Sequence, residues 1–131
     1  MKKVMVFGTF DIFHKGHKSF LQQAKKYGKL TIILARDKTV LKIKGHLPKN
    51  KEKERLGVIK KTKLAKKVLP GYLRDKYKII AKHKPDIVCL GYDQTHFTDK
   101  LKEKLNQFGL RKTKIIRLNP YCPEKYKSSK L

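Results

Sequence analysis

The sequence predicts an α/β fold: one open sheet of about five parallel strands flanked by helices. Three observations carry this. Short apolar runs are continuous rather than alternating, as in strands covered on both faces. Segments of helical spacing separate these runs. A glycine-bounded loop joins the first run to the first helical segment, where such folds gather ligands.

The elements follow in order. Val4-Met5-Val6-Phe7 is the first run, and Gly8 ends it. Phe20, Leu21, Ala24 and Tyr27 share one helical face, with Gly28 expected as the C-cap. Leu30 to Ala35 is the second run. Asn50 is expected to cap a second helix, with Glu52 and Glu54 in its first turn, where the dipole favours acids. Val68-Leu69 before Pro70-Gly71 is a weaker strand, and Leu73, Tyr77, Ile80 and Ala81 mark a third helix. Ile87 to Leu90 ends at Gly91; Leu101, Leu105 and Phe108 mark a fourth helix, followed by Gly109; Lys114 to Leu118 is the last strand. The polar stretch Tyr121 to Leu131 is expected to be a loop entering a helix start. The order β-α-β-α-β-α-β-α-β makes residues 1–131 a single domain, with ligands at the carboxyl ends of the strands.

Composition narrows the class. No stretch approaches the ~20 apolar residues of a membrane span, and the amino-terminal run lacks the cleavage site of a secretory signal. Cys89 and Cys122 are too few for a disulfide framework, and Cys89 sits in an apolar run as a core residue. A cytoplasmic location is the expectation. The net charge is +25, and lysine supplies almost all of it: the arginines are only Arg36, Arg55, Arg74, Arg111 and Arg117. Nucleic-acid readers favour the arginine fork. A solvated lysine surface with weak non-specific affinity for polyanions is therefore expected.

The chemistry lies in Gly8-Thr9-Phe10-Asp11-Ile12-Phe13-His14-Lys15-Gly16-His17, between the first strand and the first helix. Gly8 lets backbone approach closely, and Gly16 keeps the helix entrance open. The amides of the first turn and the positive end of the helix dipole point at any bound anion. His14 and His17, three apart, can face one point. A zinc half-site is the competing reading, but no further Cys or His cluster completes it. Asp37 is either a site residue or a turn cap. His46, His83 and His96 read as surface or packing residues, with His96 closest to the expected pocket.

Gly8-Thr9-Phe10-Asp11 followed by His14-x-Gly16-His17 resembles the signature of the cytidylyltransferase-type nucleotidyltransferases, a Rossmann-like family. Arg36-Asp37 at the end of the second strand, Lys44 in the loop expected to follow it, Arg55 opening the second helix, Gly91-Tyr92-Asp93-Gln94 and Ser128-Ser129-Lys130 extend the resemblance over nearly the whole chain. Ala35 to Val40, Lys42-Ile43-Lys44-Gly45 and Lys84-Pro85-Asp86 look most like archaeal FAD synthases; the glycerol-3-phosphate cytidylyltransferases are the next most similar.

The resemblance implies transfer of a nucleoside monophosphate from a triphosphate to a phosphate-bearing acceptor, with release of pyrophosphate. It implies catalytic roles for His14, His17, Lys44 and Arg55. Nucleotide binding would fall to Gly8, Thr9, Phe10, Asp11, Gly16, Gly91, Tyr92, Asp93, Ser128 and Ser129. Acceptor binding would fall to Asp37, Lys44 and Arg55, with Arg55 gripping phosphate bidentately. Mg²⁺ or another divalent cation would accompany the nucleotide, and a homodimer is implied. ATP with FMN is the favoured substrate pair, and CTP with glycerol 3-phosphate the alternative. Tyr92, Phe97 and Phe13, on or near the expected carboxyl edge, would either cover a flavin ring or pack between subunits. Leu131 follows the serine pair almost at once, where relatives continue into a helix, which implies a reduced terminal contact. A nucleic-acid-binding module on the same fold is the alternative of a different class. It predicts tight binding with a steep salt slope and no pyrophosphate release.

Overall fold

The computed structural model describes residues 2–75, 77–91, 94 and 100–119. Strands β1 (Lys3–Gly8), β2 (Lys29–Leu34), β3 (Lys67–Pro70), β4 (Ile87–Leu90) and β5 (Lys114–Arg117) form one sheet. Its order is β3-β2-β1-β4-β5 and every pairing is parallel. Helices α1 (Lys15–Lys25), α2 (Asp37–Lys44), α3 (Glu52–Lys61), α4 (Lys78–His83) and α5 (Leu101–Gln107) connect them. The expected Rossmann-like sheet is present.

Continuous apolar runs are needed because both faces of the sheet are covered. Val4, Val6, Leu30, Ile32 and Cys89 pack with Leu21 and Ala24 of α1 and Ile59 of α3. Met5, Ile33, Val88 and Leu90 pack on the other face with Ile79 and Ile80 of α4 and Leu101 and Leu105 of α5. Alternate residues of β1 thus serve opposite cores, as strand geometry requires. β3 is the exception: at the sheet edge, all four of its residues stay partly or fully exposed.

Five local expectations are corrected. Two helices, not one, join β2 to β3. The missed α2 buries only Val40, while Leu41 and Ile43 are exposed, so its periodic signal is weak. Lys44 accordingly ends α2 rather than lying in a loop. Asn50 does not cap α3: Lys51 holds that position, and the Asn50 side chain reaches the Asp11 carbonyl instead. Tyr27 and Leu73 lie exposed outside the helices they were expected to anchor.

Gly28 is not the C-cap of α1, which is Lys26. It has φ of +156°, and a Cβ there would stand 2.2 Å from the Lys2 carbonyl oxygen. That oxygen accepts the Lys29 amide, so the backbone has nowhere to retreat. Gly28→Ala is expected to cost about 1–3 kcal/mol, read as a lower urea midpoint with unchanged slope. An unchanged midpoint would contradict this geometry.

Candidate active site

The first loop leaves β1 at Gly8 and turns back on itself. Phe10 has φ of 51° and is buried, with its ring folded beneath the loop. A Cβ on Gly8 would stand 2.6 Å from that ring, so the glycine makes room for the fold-back. The ring then meets His17 edge-on at 5.3 Å. Phe13 tilts against the same imidazole at 5.6 Å.

His14 and His17 form a capping box at the start of α1. The Gly16 amide donates to Nδ1 of His14 at 3.0 Å, and the His14 amide donates to Nδ1 of His17 at 3.3 Å. The rings stack with centroids 3.9 Å apart. An Nδ1 that accepts carries no proton, so each neutral ring holds its proton on Nε2. Burial, the neighbouring His14 and the Lys44 charge push the His17 pKa down to about 4, against an opposing hydrogen bond with the Ile12 backbone. Burial also lowers the His14 pKa. The pair is neutral at physiological pH.

Helix α1 has no acidic residue in its first turn, which instead contains Lys15 and Lys18. Cations at the positive end of a helix dipole are unfavourable unless an anion joins them. Helix α3, by contrast, carries Glu52 and Glu54 in that position. An anion at the α1 terminus would offset both the dipole and these lysines.

Behind the loop lies Arg55, the one buried charged residue among those described. Its Nε donates to the Asn50 carbonyl at 3.0 Å, Nη1 to the Thr9 and Ala35 carbonyls at 2.9 Å each, and Nη2 to Asp37 at 2.6 Å. The bidentate grip on phosphate expected of Arg55 is not what this geometry offers, because protein oxygens take the fork. The first loop, the end of β2 and the entry to α3 leave carbonyls there that need donors. Asp37 likewise turns inward. It accepts the Glu52 amide at 3.3 Å, while Glu52 accepts the Asp37 amide at 2.9 Å and the Arg36 Nε at 3.0 Å. Burial alone would raise the Asp37 pKa. Hydrogen bonds from Arg55 and the Glu52 backbone, with the charges of Arg55 and Lys51, outweigh it and hold the carboxyl below its ordinary value. The Asp11 carboxylate accepts the Lys49 amide at 2.7 Å and the Asn50 amide at 2.8 Å.

Across the crevice, the loop after β4 is tied to β1. The Gln94 side chain accepts the Gly91 amide and donates to the Phe7 carbonyl, each at 3.2 Å. Arg117 donates to the Gly91 carbonyl at 2.7 Å and to the Gln94 carbonyl at 2.9 Å. The two loops flank the point where the strand order reverses, between β1 and β4. Beside the first loop, on the other core's face, is a cavity of about 80 Å³ lined by Phe7, Thr9, Ile33, Arg36, Thr39 and Tyr72.

The structure thus brings Gly8, Thr9, Phe10, Asp11, His14, Gly16, His17, Asp37, Lys44, Arg55 and Gly91 to the carboxyl edge. Tyr92, Asp93, His96, Phe97, Cys122, Ser128 and Ser129 lie outside the described residues. Sequence reasoning missed the supporting roles of Arg36, Asn50, Glu52 and Arg117 at this site. One signal was present. The chain has five arginines against many lysines, and three of them, Arg36, Arg55 and Arg117, hydrogen-bond at this edge.

Residues 5–131 match the family described as Cytidylyltransferase-like. The chain belongs to this family. Within it, a protein named FAD synthase from Thermoplasma volcanium is 38% identical over 92% of this chain and 84% of its own length. One of the same name from Archaeoglobus profundus is 42% identical over 90% of this chain and 75% of its own. Among solved structures, one described as a lipopolysaccharide core biosynthesis protein from Thermoplasma volcanium GSS1 superposes with a TM-score of 0.84. It is 38% identical and matches over 92% of this chain and 98% of that one. This member of the cytidylyltransferase-like family is a nucleotidyltransferase enzyme. No helix among the described residues is long and apolar enough to cross a membrane.

Proposed function

We propose that the chain is an FAD synthase, transferring AMP from ATP to the phosphate of FMN. Identity of 38–42% over about nine-tenths of the chain to proteins of that name carries this reading. A phosphate oxygen of FMN attacks the α-phosphorus of ATP. The bond from that phosphorus to the bridging β-oxygen breaks, and pyrophosphate departs. Little covalent help is needed: positioning and charge neutralisation supply the rate.

Each group has a task in this proposal. The Nε2 protons of His14 and His17 would donate to the α-phosphate oxygens as negative charge gathers there. Lys44, close enough to depress His17, would lie between the donor and acceptor phosphates. Arg55, Asp37 and Asp11 would act from behind, holding the first loop and the entry to α3 in register. Gly8, Thr9, Phe10, Gly16 and Gly91 would shape the backbone around the nucleotide, joined by Tyr92, Asp93, Ser128 and Ser129. The cavity lined by Phe7, Ile33 and Tyr72 offers apolar cover for one end of the flavin ring. Phe13 is instead engaged with His17.

The acidic residues here fit a divalent cation carried by the nucleotide. The carboxylates of Asp11 and Asp37 are already occupied by amide and guanidinium donors, and no cluster of three ligating side chains exists among the described residues. Mg²⁺, which keeps much of its water, suits such a site. When bound it would neutralise triphosphate charge. A single-domain, cytoplasmic homodimer completes the proposal; a persistent monomer in light scattering at several concentrations would remove the dimer.

The test is a product assay. The pure protein with ATP and FMN should yield FAD and pyrophosphate in equal amounts, and with CTP and glycerol 3-phosphate neither CDP-glycerol nor pyrophosphate. CDP-glycerol without FAD would overturn the substrate assignment.

A further inference from the structure

The sheet opens unevenly at its carboxyl edge. β1 stays paired with β2 as far as Gly8 and Leu34, and β4 with β5 as far as Leu90 and Arg117. Between β1 and β4 the pairing stops sooner, at Val6 and Cys89. These two strands part where the strand order reverses, the place at which such folds admit a ligand. Parting leaves backbone groups without a ladder partner, and each needs one from elsewhere.

One side chain fills the gap. Gln94 Nε2 donates to the Phe7 carbonyl on β1, and Oε1 accepts the Gly91 amide just past β4, each at 3.2 Å. A carboxamide offers the same donor and acceptor as a peptide group. Gln94 thus stands in for one more rung between the parted strands. Closing the loop after β4 does not require this. The Gln94 backbone amide already donates to the Gly91 carbonyl at 3.2 Å. Arg117 holds that carbonyl and the Gln94 carbonyl from the β5 side. The side chain instead crosses to a residue 87 positions earlier.

We propose that Gln94 is a positioning residue for nucleotidyl transfer. It fixes how far the loops after β1 and β4 stand apart, and through them how the nucleotide meets His14 and His17. The proposal rests on the placement of the nucleotide in this crevice under the proposed function. There the nucleotide bridges both loops, with the histidines on one and Gly91 on the other. The flavin ring lies on the far side of β1, in the cavity lined by Ile33 and Tyr72. Loss of the rung therefore falls on nucleotide binding and spares flavin binding. A misplacement of about 1 Å can cost about a hundredfold in rate, so Gln94 matters although it touches no substrate.

The test uses the full chain with Gln94→Ala or Gln94→Met. The second substitution keeps much of the side-chain volume but makes neither hydrogen bond. Titration calorimetry reads the binding of ATP, and of CTP in parallel, with Mg²⁺ and no acceptor. Steady-state pyrophosphate release gives KM for ATP and for FMN separately, and circular dichroism checks the fold. Both variants should fold and should bind the nucleotide that wild type prefers about tenfold more weakly. KM for ATP should rise in step, with KM for FMN near wild type. A merely structural residue would lower kcat with the active fraction and leave both KM values alone. That result, equal rises in both KM values, wild-type nucleotide affinity in Gln94→Met, or loss of the fold in both variants would overturn the proposal. Nucleotide binding by wild type without FAD formation would remove the FMN assignment alone, and calorimetry would still decide the role of Gln94. A wild type that binds neither nucleotide would overturn the crevice placement and this proposal with it.

Discussion

Replacing His17 with alanine is expected to lower turnover about a hundredfold or more, the scale of removing one transition-state donor. His14→Ala should do similar harm, and more to local order, because its ring also accepts the Gly16 amide at the helix start. The fold should survive in both, since neither ring belongs to either core. Circular dichroism and steady-state pyrophosphate release separate the two effects. Near-wild-type turnover in both variants would remove these histidines from the mechanism. The tautomer argument adds a pH signature. With its pKa near 4, His17 stays neutral through the whole neutral range, so turnover should show no limb at the ordinary imidazole value. Stability should respond lower down. The folded pKa lies below the unfolded 6.5, so the unfolded chain binds more protons between the two values. This contribution is complete above about 6.5 and fades as pH falls towards 4. His17→Ala should flatten that part of the stability profile.

Replacing Arg55 is expected to produce the largest loss of stability. Arg55→Ala would strand the carbonyls of Thr9, Ala35 and Asn50 and leave the Asp37 carboxylate without its partner. Removing one member of a buried pair costs about 3–5 kcal/mol. For a domain of this size that lowers the melting temperature by roughly 10 °C or more. Arg55→Lys should recover only part, because an ammonium cannot reach four acceptors spread over a planar fork. Turnover should fall even below the melting transition, since the clamp fixes the loop that positions the histidines. Thermal unfolding read alongside low-temperature kinetics checks both halves. A variant with wild-type melting and lower activity alone would return Arg55 to direct substrate contact.

These two sites show where sequence was informative. β1, β2 and β4 were legible because burial on both faces leaves an unbroken apolar run. The histidine pair was legible because its members lie three residues apart in one segment. Arg55 was placed at the right edge, yet its work was not visible. Its four acceptors come from segments 5 to 46 residues away, and no local pattern encodes that convergence. The same holds for Asn50, drawn from its expected cap by Asp11, 39 residues earlier. It holds too for Gln23 and Asn119, paired across 96 residues. Helix α2 escaped for a different reason: one buried residue in eight gives no apolar stripe to read.

The central claim is nucleotidyl transfer between the loops after β1 and β4. Its most direct test uses ATP labelled at the α-phosphorus, incubated with FMN and the pure protein. The account predicts that the label moves into FAD while unlabelled pyrophosphate forms in equal amount, and that His14→Ala and His17→Ala both suppress the transfer. Label remaining in ADP while the γ-phosphate moves to the acceptor, or no transfer to any phosphate-bearing acceptor, would contradict it.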